Sequence, residues 1–505
     1  MRVVLAAAAL GALQSLVFVH TGFWWLQLLS IGVVAAFVRS ASPGRAGGIG
    51  AAFSFGWLAA SVWWLFISLH RYGELPAWMA VAAVALLCAG LALAFAFAFA
   101  LFARWRSGRP GPDALLFAVL WLLAELARGE LFTGFPWVAS GYAQVDAPLA
   151  ALAPWVGVYG IGAMAAGLSA WCAFAWPTCG RAKVLAPAVS AGVLVLAAIA
   201  GPGSFTRATG SLTVTLLQGN VAQDEKFAAE HLPAALGWAL AHLVAAKGQL
   251  VVAPETVIPL LPDQLEDVDP QLWPTLKAHF AQPGRAALIG LPLGDYERGY
   301  TNSAAGLSID AVREPLGFYR YDKTHLVPFG EFIPTGFHWF TTLMNIPLGD
   351  FARGPLAAPS FAVLGERIAP NICYEDLFGE ELAARFAQPT RAPTILVNIS
   401  NIGWFGETIA VTQHLNVSRM RSLELQRPML RATNTGATVV IDHQGVVRHA
   451  LAPHTQGVLD GSVQGREGIT PFAWWAARAG LAPPGLLALG LVVALARAGR
   501  RGSRP

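Results

Sequence analysis

Three side chains of different chemistry each follow shortly after a short apolar run. They are the carboxylate of Glu255, the ammonium of Lys323 and the thiol of Cys373. Because α/β proteins place their chemistry where strands end, the three runs predict strands that deliver these groups. Brought together, the groups would supply a general base, an oxyanion stabiliser and a nucleophile.

Cys373 lies in the stretch RIAPNICYEDL, residues 367–377, which predicts a strand and a tight turn, followed by a helix over 378–386. A thiol at such a turn is held out of the sheet, close to backbone N–H groups and a helix N-terminus. We therefore expect a lowered thiol pKa and donors for an oxyanion. The alternative is a buried, unreactive cysteine, because free cysteine is among the most buried residue types. Residues 367–377 alone do not decide between a reactive and an unreactive cysteine.

Glu255 and Lys323 also have ordinary explanations. A carboxylate at a strand end can cap the following turn, and most lysines are solvated at the surface. However, the chain uses arginine far more often than lysine. An ammonium is a compact point charge that suits a small oxyanion, whereas a guanidinium is a broad planar fork. The use of lysine at position 323 in a chain so rich in arginine is therefore a weak argument that Lys323 stabilises an oxyanion.

The composition indicates a membrane protein. Of the 505 residues, 55% are hydrophobic and 13% are charged, against about 25% charged residues in ordinary soluble domains. The net charge is +4, and no dense basic face predicts binding to nucleic acid.

Eight apolar runs approach the ~20 residues that a bilayer requires. They predict a membrane domain over 1–203 with seven spans, an eighth span at 470–497 and a basic cytoplasmic tail at 498–505. The fifth run is short and contains Glu125. The runs are 3–19, 23–38, 49–69, 77–103, 114–127, 147–176, 184–201 and 471–496.

The basic residues between these runs follow the positive-inside rule. If the N-terminus is cytoplasmic, the short outer loops contain only Arg71 and Arg128 as basic residues, and the inner segments hold the others. This asymmetry requires an even number of spans and places residues 210–465 outside the cytoplasm. The alternative is that one span is wrongly assigned and the large domain is cytoplasmic.

Between 210 and 465 the pattern changes to short β-rich runs that alternate with helical segments. Such alternation predicts an α/β domain with packed sheets. The predicted strands are 212–218, 250–253, 286–290, 367–373, 394–398 and 437–442, and the predicted helices are 226–245, 271–281, 379–387 and 412–425.

The four cysteines do not predict a metal site. Cys88, Cys172 and Cys179 lie within or just after apolar runs, and only Cys373 lies in the polar part of the chain. No CxxC pair or histidine-rich cluster is present, so we expect neither a zinc site nor another cofactor.

Longer stretches around these residues carry a specific resemblance. With the seven-plus-one arrangement of spans, they resemble the apolipoprotein N-acyltransferase family, whose catalytic domain is nitrilase-like (carbon–nitrogen hydrolase superfamily). The chain departs from the family pattern at Phe227, where tryptophan is common in the family. We expect this difference to change packing without loss of activity. The stretches are TGFPW (133–137), LLQGNVAQDEKF (216–227), APETVIP (253–259), YDKTHLVPFGEFIP (321–334), PNICYED (370–376), NISNIGWFGET (398–408) and RMRSLELQRPMLRATNTG (419–436).

The resemblance implies a Glu-Lys-Cys triad in an αββα sandwich. Glu255 would be the general base, and Cys373 would attack the sn-1 ester of a phospholipid, phosphatidylethanolamine being the favoured donor. Lys323 and a backbone N–H near Tyr374 would stabilise the oxyanion. The resulting thioester would acylate the N-terminal amine of an S-diacylglyceryl-cysteine on an apolipoprotein.

Further expectations follow from the same resemblance. Glu331 and Glu375 would support the triad, with a structural ion pair as the alternative for each. The enzyme would be a monomer in the bacterial inner (cytoplasmic) membrane, in contact with membrane lipids, and its catalytic domain would face the periplasm.

The segment 329–350 is unusually apolar for a loop and predicts a lid that contacts lipid and keeps water from a thioester. Trp339 and Phe340 are its central residues, and Trp404 and Phe405 are expected to join it. Trp137 in TGFPW is a further candidate for lipid contact. The alternative for the lid residues is that they fill a core, and the alternative for Trp137 is an anchor at the membrane interface.

Two other functions remain as hypotheses. A membrane-tethered amidase would use the same triad on a small amide, with water as the second nucleophile. A transporter with an extracytoplasmic binding domain is disfavoured, because transporters place ionisable groups at mid-membrane and these spans hold almost none.

Overall fold

The computed structural model describes residues 1–176, 181–334 and 351–502. The chain divides into two compact units. The helical unit comprises Met1–Phe66, Pro76–Gly203 and Ala479–Pro505, and the sheet unit comprises Ile67–Leu75 and Ser204–Arg478. The short segment 67–75, which the sequence assigned to the membrane domain, therefore belongs to the sheet unit.

A helix lies in each of the eight apolar runs. Among the described residues, six helical segments are long and apolar enough to cross a membrane, and the pair Pro43–Val62 and Leu65–Tyr72, bent by 60°, would make a seventh. Pro110–Glu130, which carries four charged residues, is not among them. The main helices are Arg2–Val19, Trp24–Val38, Pro43–Val62, Ala77–Trp105, Pro110–Glu130, Ala153–Ala175, Arg181–Ala200 and Ala482–Gly502.

Glu125 weakened the prediction of the fifth span. Its charge is compensated by an ion pair inside the helical unit. Its carboxylate accepts a hydrogen bond from Arg128 Nη2 at 2.9 Å and another from the Ser140 backbone N–H at 3.0 Å. Arg128 Nη1 also donates to the Trp137 carbonyl at 2.7 Å. A charge among apolar helices is expected to be paired in this way.

The described part of the sheet unit contains two six-stranded sheets. The first has the order β12-β1-β2-β3-β4-β5, and the second has the order β11-β10-β9-β8-β7-β6. Each sheet is parallel only at its centre, in β1-β2-β3 and in β7-β8-β9. The strands are β1 Thr206–Gln218, β2 Leu250–Val252, β3 Ala286–Asp295, β4 Gly299–Ser308, β5 Tyr319–Asp322, β6 Phe361–Val363, β7 Glu366–Ile372, β8 Ile395–Ser400, β9 Met429–Thr433, β10 Val439–Ile441, β11 Val447–Ala450 and β12 Gly457–Gly468.

Alternate residues of the first sheet face two different cores. Leu288 of β3 packs in a cluster with Ile372 and Leu430 of the second sheet. Its neighbour Ile289 packs in another cluster with Leu276, which lies on a helix that covers the first sheet. This two-residue period gives the helix–sheet–sheet–helix order of the predicted αββα sandwich. The helices of the unit are Leu232–Ala245, Pro262–Val268, Leu272–Phe280, Gly379–Ala383, Ala410–Leu425 and Pro471–Ala479.

Five of the twelve strands in the described ranges were not predicted from the sequence, namely β4, β6, β9, β11 and β12. β4 (GYTNSAAGLS) and β9 (MLRAT) contain polar or small residues, yet most of their residues are buried. Their polar side chains are hydrogen-bonded inside the unit and can therefore be buried. As a result, these two strands lack the alternation of hydrophobic and polar residues that usually marks a strand. The predicted helix 226–245 begins only at Leu232, where Pro233 in the first turn starts the helix.

One buried carboxylate joins the two sheets. Glu366 of β7 accepts hydrogen bonds from Thr209 Oγ1 at 2.9 Å and from the Gly210 N–H at 2.6 Å, where the register of β1 shifts. Gly210 and Gly465 leave space for this carboxylate, because an added Cβ would lie 2.6 and 2.1 Å from its oxygens. The irregularity in β1 is therefore satisfied by a side chain from the other sheet.

We predict that Glu366→Ala lowers the free energy of unfolding by ~1–3 kcal/mol, because the hydrogen bonds that the buried Glu366 carboxylate accepts from Thr209 and Gly210 are lost. Thermal unfolding of the full chain in detergent would measure the change. Glu467→Ala is the matched control, since Glu467 forms an exposed ion pair with Arg207 and should change stability by less than ~1 kcal/mol. Equal effects of the two substitutions would contradict the assigned role of Glu366.

Candidate active site

The three predicted residues follow strands of the two sheets. Glu255 comes after β2 and Lys323 directly after β5 in the first sheet, and Cys373 directly follows β7 in the second. Lys323 remains in register with β4, because its N–H donates to the Asn302 carbonyl at 2.8 Å. Each group is thus placed by a strand end, as the sequence predicted.

Lys323 lies between two carboxylates. Its Nζ is 2.9 Å from Glu331 Oε1 and 3.5 Å from Glu255 Oε1, and its side chain is 1% exposed. Asn302 Nδ2 donates to the same two oxygens at 2.7 Å each. Glu331 therefore holds both the lysine and, through Asn302, the carboxylate of Glu255.

The opposing carboxylates keep Lys323 charged. Burial alone would lower its pKa, but the charges of Glu331 and Glu255 outweigh burial and raise the pKa above its ordinary value. The ammonium is therefore a permanent cation at neutral pH. Such a cation can stabilise a negative charge that develops nearby.

Glu255 is oriented from both sides. Its Oε2 accepts a hydrogen bond from the Asn401 N–H at 2.8 Å, and its backbone carbonyl accepts one from Lys226 Nζ at 3.0 Å. Burial lowers the pKa of Lys226 to about 8, although the carboxylate of Glu255 opposes this shift. Gln223 holds Asn401 in turn, by accepting a hydrogen bond from its Nδ2 at 2.7 Å.

Cys373 begins a 3₁₀ turn, Cys373–Leu377, with a φ of +53°. Burial raises the pKa of its thiol, and the carboxylate of Glu255 raises it further, against the opposing charge of Lys323. The expectation of a lowered thiol pKa is therefore wrong, because burial and nearby carboxylates outweigh the lysine. The resting thiol is neutral and needs a base to become nucleophilic.

Glu375 connects the end of β5, which precedes Lys323, with the end of β7, which precedes Cys373. Its carboxylate accepts hydrogen bonds from the backbone N–H groups of Thr324 at 2.6 Å and Ile372 at 2.6 Å. The Tyr321 hydroxyl donates to it at 2.8 Å. Burial raises the pKa of this carboxyl group. Glu375 thus has a clear structural role at the junction of the two strand ends.

A buried polar network lies behind the nucleophile. Asp376 is 2.8 Å from His414 Nε2 and accepts hydrogen bonds from Ser418 Oγ at 2.5 Å and Arg431 Nη1 at 3.2 Å. Despite burial, His414 and Arg431 lower the pKa of Asp376, whereas burial and Arg431 lower the pKa of His414. Asp376 is therefore ionised and His414 is neutral at neutral pH.

The aromatic candidates have different positions. Tyr374 is buried against the rings of His325 and Phe378. Trp404 packs edge-on against Tyr72, with ring centroids 5.6 Å apart, and Phe405 lies beside it on the turn Ile402–Phe405.

The other predicted lipid contacts receive no support from the described part of the structure. Trp137 is 2% exposed and packs against Trp64, with ring centroids 4.8 Å apart, so little of its surface is free to contact lipid. Trp339 and Phe340 lie outside the described residues, and the lid remains a prediction.

Sequence reasoning gave no role to several groups that contact the site. Asn398, Asn401 and Lys226 lie inside stretches that carried the family resemblance, and this was the available signal. Arg431 also lies inside such a stretch, although its strand was not predicted. Asn302 lies outside these stretches and on a strand that was not predicted, so no pattern pointed to it. Within the described ranges, no cluster of His, Cys, Asp or Glu is arranged to hold a metal ion.

Two family models match the chain. The apolipoprotein N-acyltransferase N-terminal domain matches residues 10–172, and the carbon–nitrogen hydrolase domain matches residues 213–468. Among solved structures, a carbon–nitrogen hydrolase from Helicobacter pylori G27 is 18% identical, with a TM-score of 0.36, over 50% of this chain and 89% of that one.

Relatives of known name match almost the whole length. The apolipoprotein N-acyltransferase of Verminephrobacter eiseniae is 52% identical over 91% of this chain and 89% of its own length. That of Ralstonia nicotianae is 47% identical over 98% of this chain and 94% of its own. Both matches include the helical and the catalytic regions. The chain therefore belongs to the apolipoprotein N-acyltransferase family.

Proposed function

We propose that this membrane protein transfers the sn-1 acyl chain of a phospholipid, phosphatidylethanolamine foremost, to the N-terminal amine of S-diacylglyceryl-cysteine on apolipoproteins. The observation that carries the proposal is the buried contact of Lys323 with Glu255 and Glu331, beside a thiol whose pKa responds to all three. A base, a fixed cation and a neutral nucleophile are the parts of a two-step acyl transfer.

The first step forms a thioester. Glu255 takes the proton of Cys373 as sulfur attacks the ester carbonyl, and the resulting oxyanion lies near the ammonium of Lys323. When the carbon–oxygen bond breaks, Glu255 returns the proton to the leaving lysophospholipid. The raised pKa of the thiol makes this proton transfer necessary, because little thiolate is present beforehand.

The second step releases the acyl group to the acceptor. The amine attacks the thioester carbonyl, Glu255 accepts a proton from the attacking nitrogen, and the carbon–sulfur bond breaks. The sulfur regains a proton and the product carries an amide. Glu331 maintains the charge and position of Lys323 through both steps, and Glu375 holds the two strand ends together.

The location and partners follow from the same proposal. The chain resides in the inner membrane as a monomer, with its catalytic region on the periplasmic side, where both lipid substrates are available. The loop charges support this orientation, since Arg71 and Arg128 are the only basic residues of the short outer loops. The lid around Trp339 and Phe340 guides acyl chains and excludes water.

We predict that incubation with phosphatidylethanolamine alone leaves an acyl group on Cys373. Mass spectrometry of the intact protein should show the added mass, and hydroxylamine should remove it because thioesters are labile to this reagent. Cys373→Ser is the control and should carry no hydroxylamine-labile acyl group. A wild-type protein that stays unmodified would refute the phospholipid donor and favour an amidase.

We predict that Glu255→Gln changes two reactions of Cys373 in opposite directions. Acylation by phospholipid should slow by ~10²–10⁴, because the general base is lost. Alkylation by iodoacetamide at pH 7 should become faster, because the Glu255 carboxylate raises the thiol pKa and its removal increases the thiolate fraction. Both rates are followed by mass spectrometry, with Cys373→Ser as the background. Slower alkylation would contradict the assigned electrostatics.

We also predict that the double variant Trp339→Ser and Phe340→Ser reduces turnover of phospholipid far more than it reduces thermal stability. The physical reason is that these side chains would contact acyl chains without contributing to the core. Activity in mixed micelles and thermal unfolding in the same detergent measure the two effects. Comparable damage to both would reject the lid.

A further inference from the structure

The peptide unit between Cys373 and Tyr374 is fixed from behind the nucleophile. No peptide bond in the described ranges is cis, so the Cys373 carbonyl and the Tyr374 N–H point in opposite directions. Whatever holds the carbonyl therefore directs the N–H. Cys373 also has a φ of +53°, a conformation that costs a residue with a side chain energy and persists only when its surroundings impose it.

Two side chains hold this carbonyl. Asn398 Nδ2, on β8, and His414 Nε2, on the helix Ala410–Leu425, each lie 3.2 Å from the Cys373 oxygen. His414 Nε2 also lies 2.8 Å from Asp376 Oδ1, so its proton is shared between the carboxylate and the carbonyl. Both residues are buried. Because the carbonyl is directed toward these two groups, the Tyr374 N–H is directed away from them.

Arg431 determines that both groups act as donors. A guanidinium can only donate, and Arg431 Nη2 lies 2.6 Å from His414 Nδ1, so Nδ1 accepts and the proton of the neutral ring is on Nε2. Arg431 Nη1 donates to Asn398 Oδ1 at 3.1 Å, which turns the Asn398 Nδ2 group toward the Cys373 carbonyl. One buried cation thus sets the tautomer of the histidine and the orientation of the amide.

We propose that His414 and Asn398, oriented by Arg431, are positioning residues that hold the 373–374 peptide so that the Tyr374 N–H faces the carbonyl under attack. The inference rests on the proposed acyl transfer, in which this N–H and Lys323 share the developing negative charge. Without the two donors the peptide can rotate, and the oxyanion loses one of its stabilising groups.

The test compares two reactions of the same sulfur. Acylation by the p-nitrophenyl ester of a medium-chain fatty acid forms an oxyanion, whereas alkylation by iodoacetamide displaces iodide and forms none. In the full-length enzyme, His414→Leu and Asn398→Ala should each lower the acylation rate at least ~10-fold, because one oxyanion donor contributes ~10²–10³. The alkylation rate should change less than about threefold. The burst of p-nitrophenolate and the loss of free thiol measure the two rates.

His414→Gln is the conservative variant. Its amide N–H can replace Nε2–H and its carbonyl can replace Nδ1, so it should keep at least about a third of the wild-type acylation rate. Ser418→Ala is the matched control. Ser418 contacts Asp376 and Arg431 in the same buried network, and its loss should leave the ratio of acylation to alkylation unchanged.

Several results would overturn the inference. If the acylation and alkylation rates fall together in His414→Leu and Asn398→Ala, these residues act on the thiol or on folding alone. If neither rate falls, His414 and Asn398 do not position the 373–374 peptide. If Ser418→Ala changes the ratio as strongly, the effect belongs to the network as a whole. Should His414→Leu fail to fold, Asn398→Ala and His414→Gln decide the matter. A wild-type enzyme that reacts with the ester but not with phospholipid would refute the proposed donor and leave this inference intact.

Discussion

The contact of the buried Lys323 ammonium with the carboxylates of Glu255 and Glu331 is the interaction on which the catalytic region depends. Glu255 and Glu331 each place an oxygen 2.7 Å from the same nitrogen of Asn302, so their charges are too close to coexist without a cation between them. Lys323 supplies that cation from a strand end of the same sheet. Removing one member of such a buried set leaves the others uncompensated, which costs ~3–5 kcal/mol in comparable pairs.

The same charges explain why the nucleophile is inactive at rest. Burial and the carboxylate of Glu255 favour the neutral thiol over the thiolate, against the attraction of Lys323. A neutral thiol resists oxidation and alkylation. Under the proposed mechanism, the thiol reacts only when a carbonyl carbon is in place and Glu255 can receive the proton.

Each unit contains buried charges that are paired with an opposite charge. In the helical unit, Glu125 and Arg128 form a pair that also binds the backbone around Ser140 and Trp137. In the sheet unit, Asp376, His414 and Arg431 form a network that reaches the carbonyl of the nucleophile. These groups give rigidity to turns that apolar packing alone would leave free to rotate.

The sequence by itself determined the membrane character, the α/β class, the family and the order Glu255, Lys323, Cys373, because apolar runs and reactive residues at strand ends are local features. It missed β4 and β9, since their buried polar residues conceal the hydrophobic alternation that marks a strand. Only the tertiary structure decided that Glu331 pairs with Lys323, that the thiol pKa is raised, and that Arg431 orients the groups behind Cys373. These properties depend on burial and on distances between residues far apart in the chain, which no local pattern records.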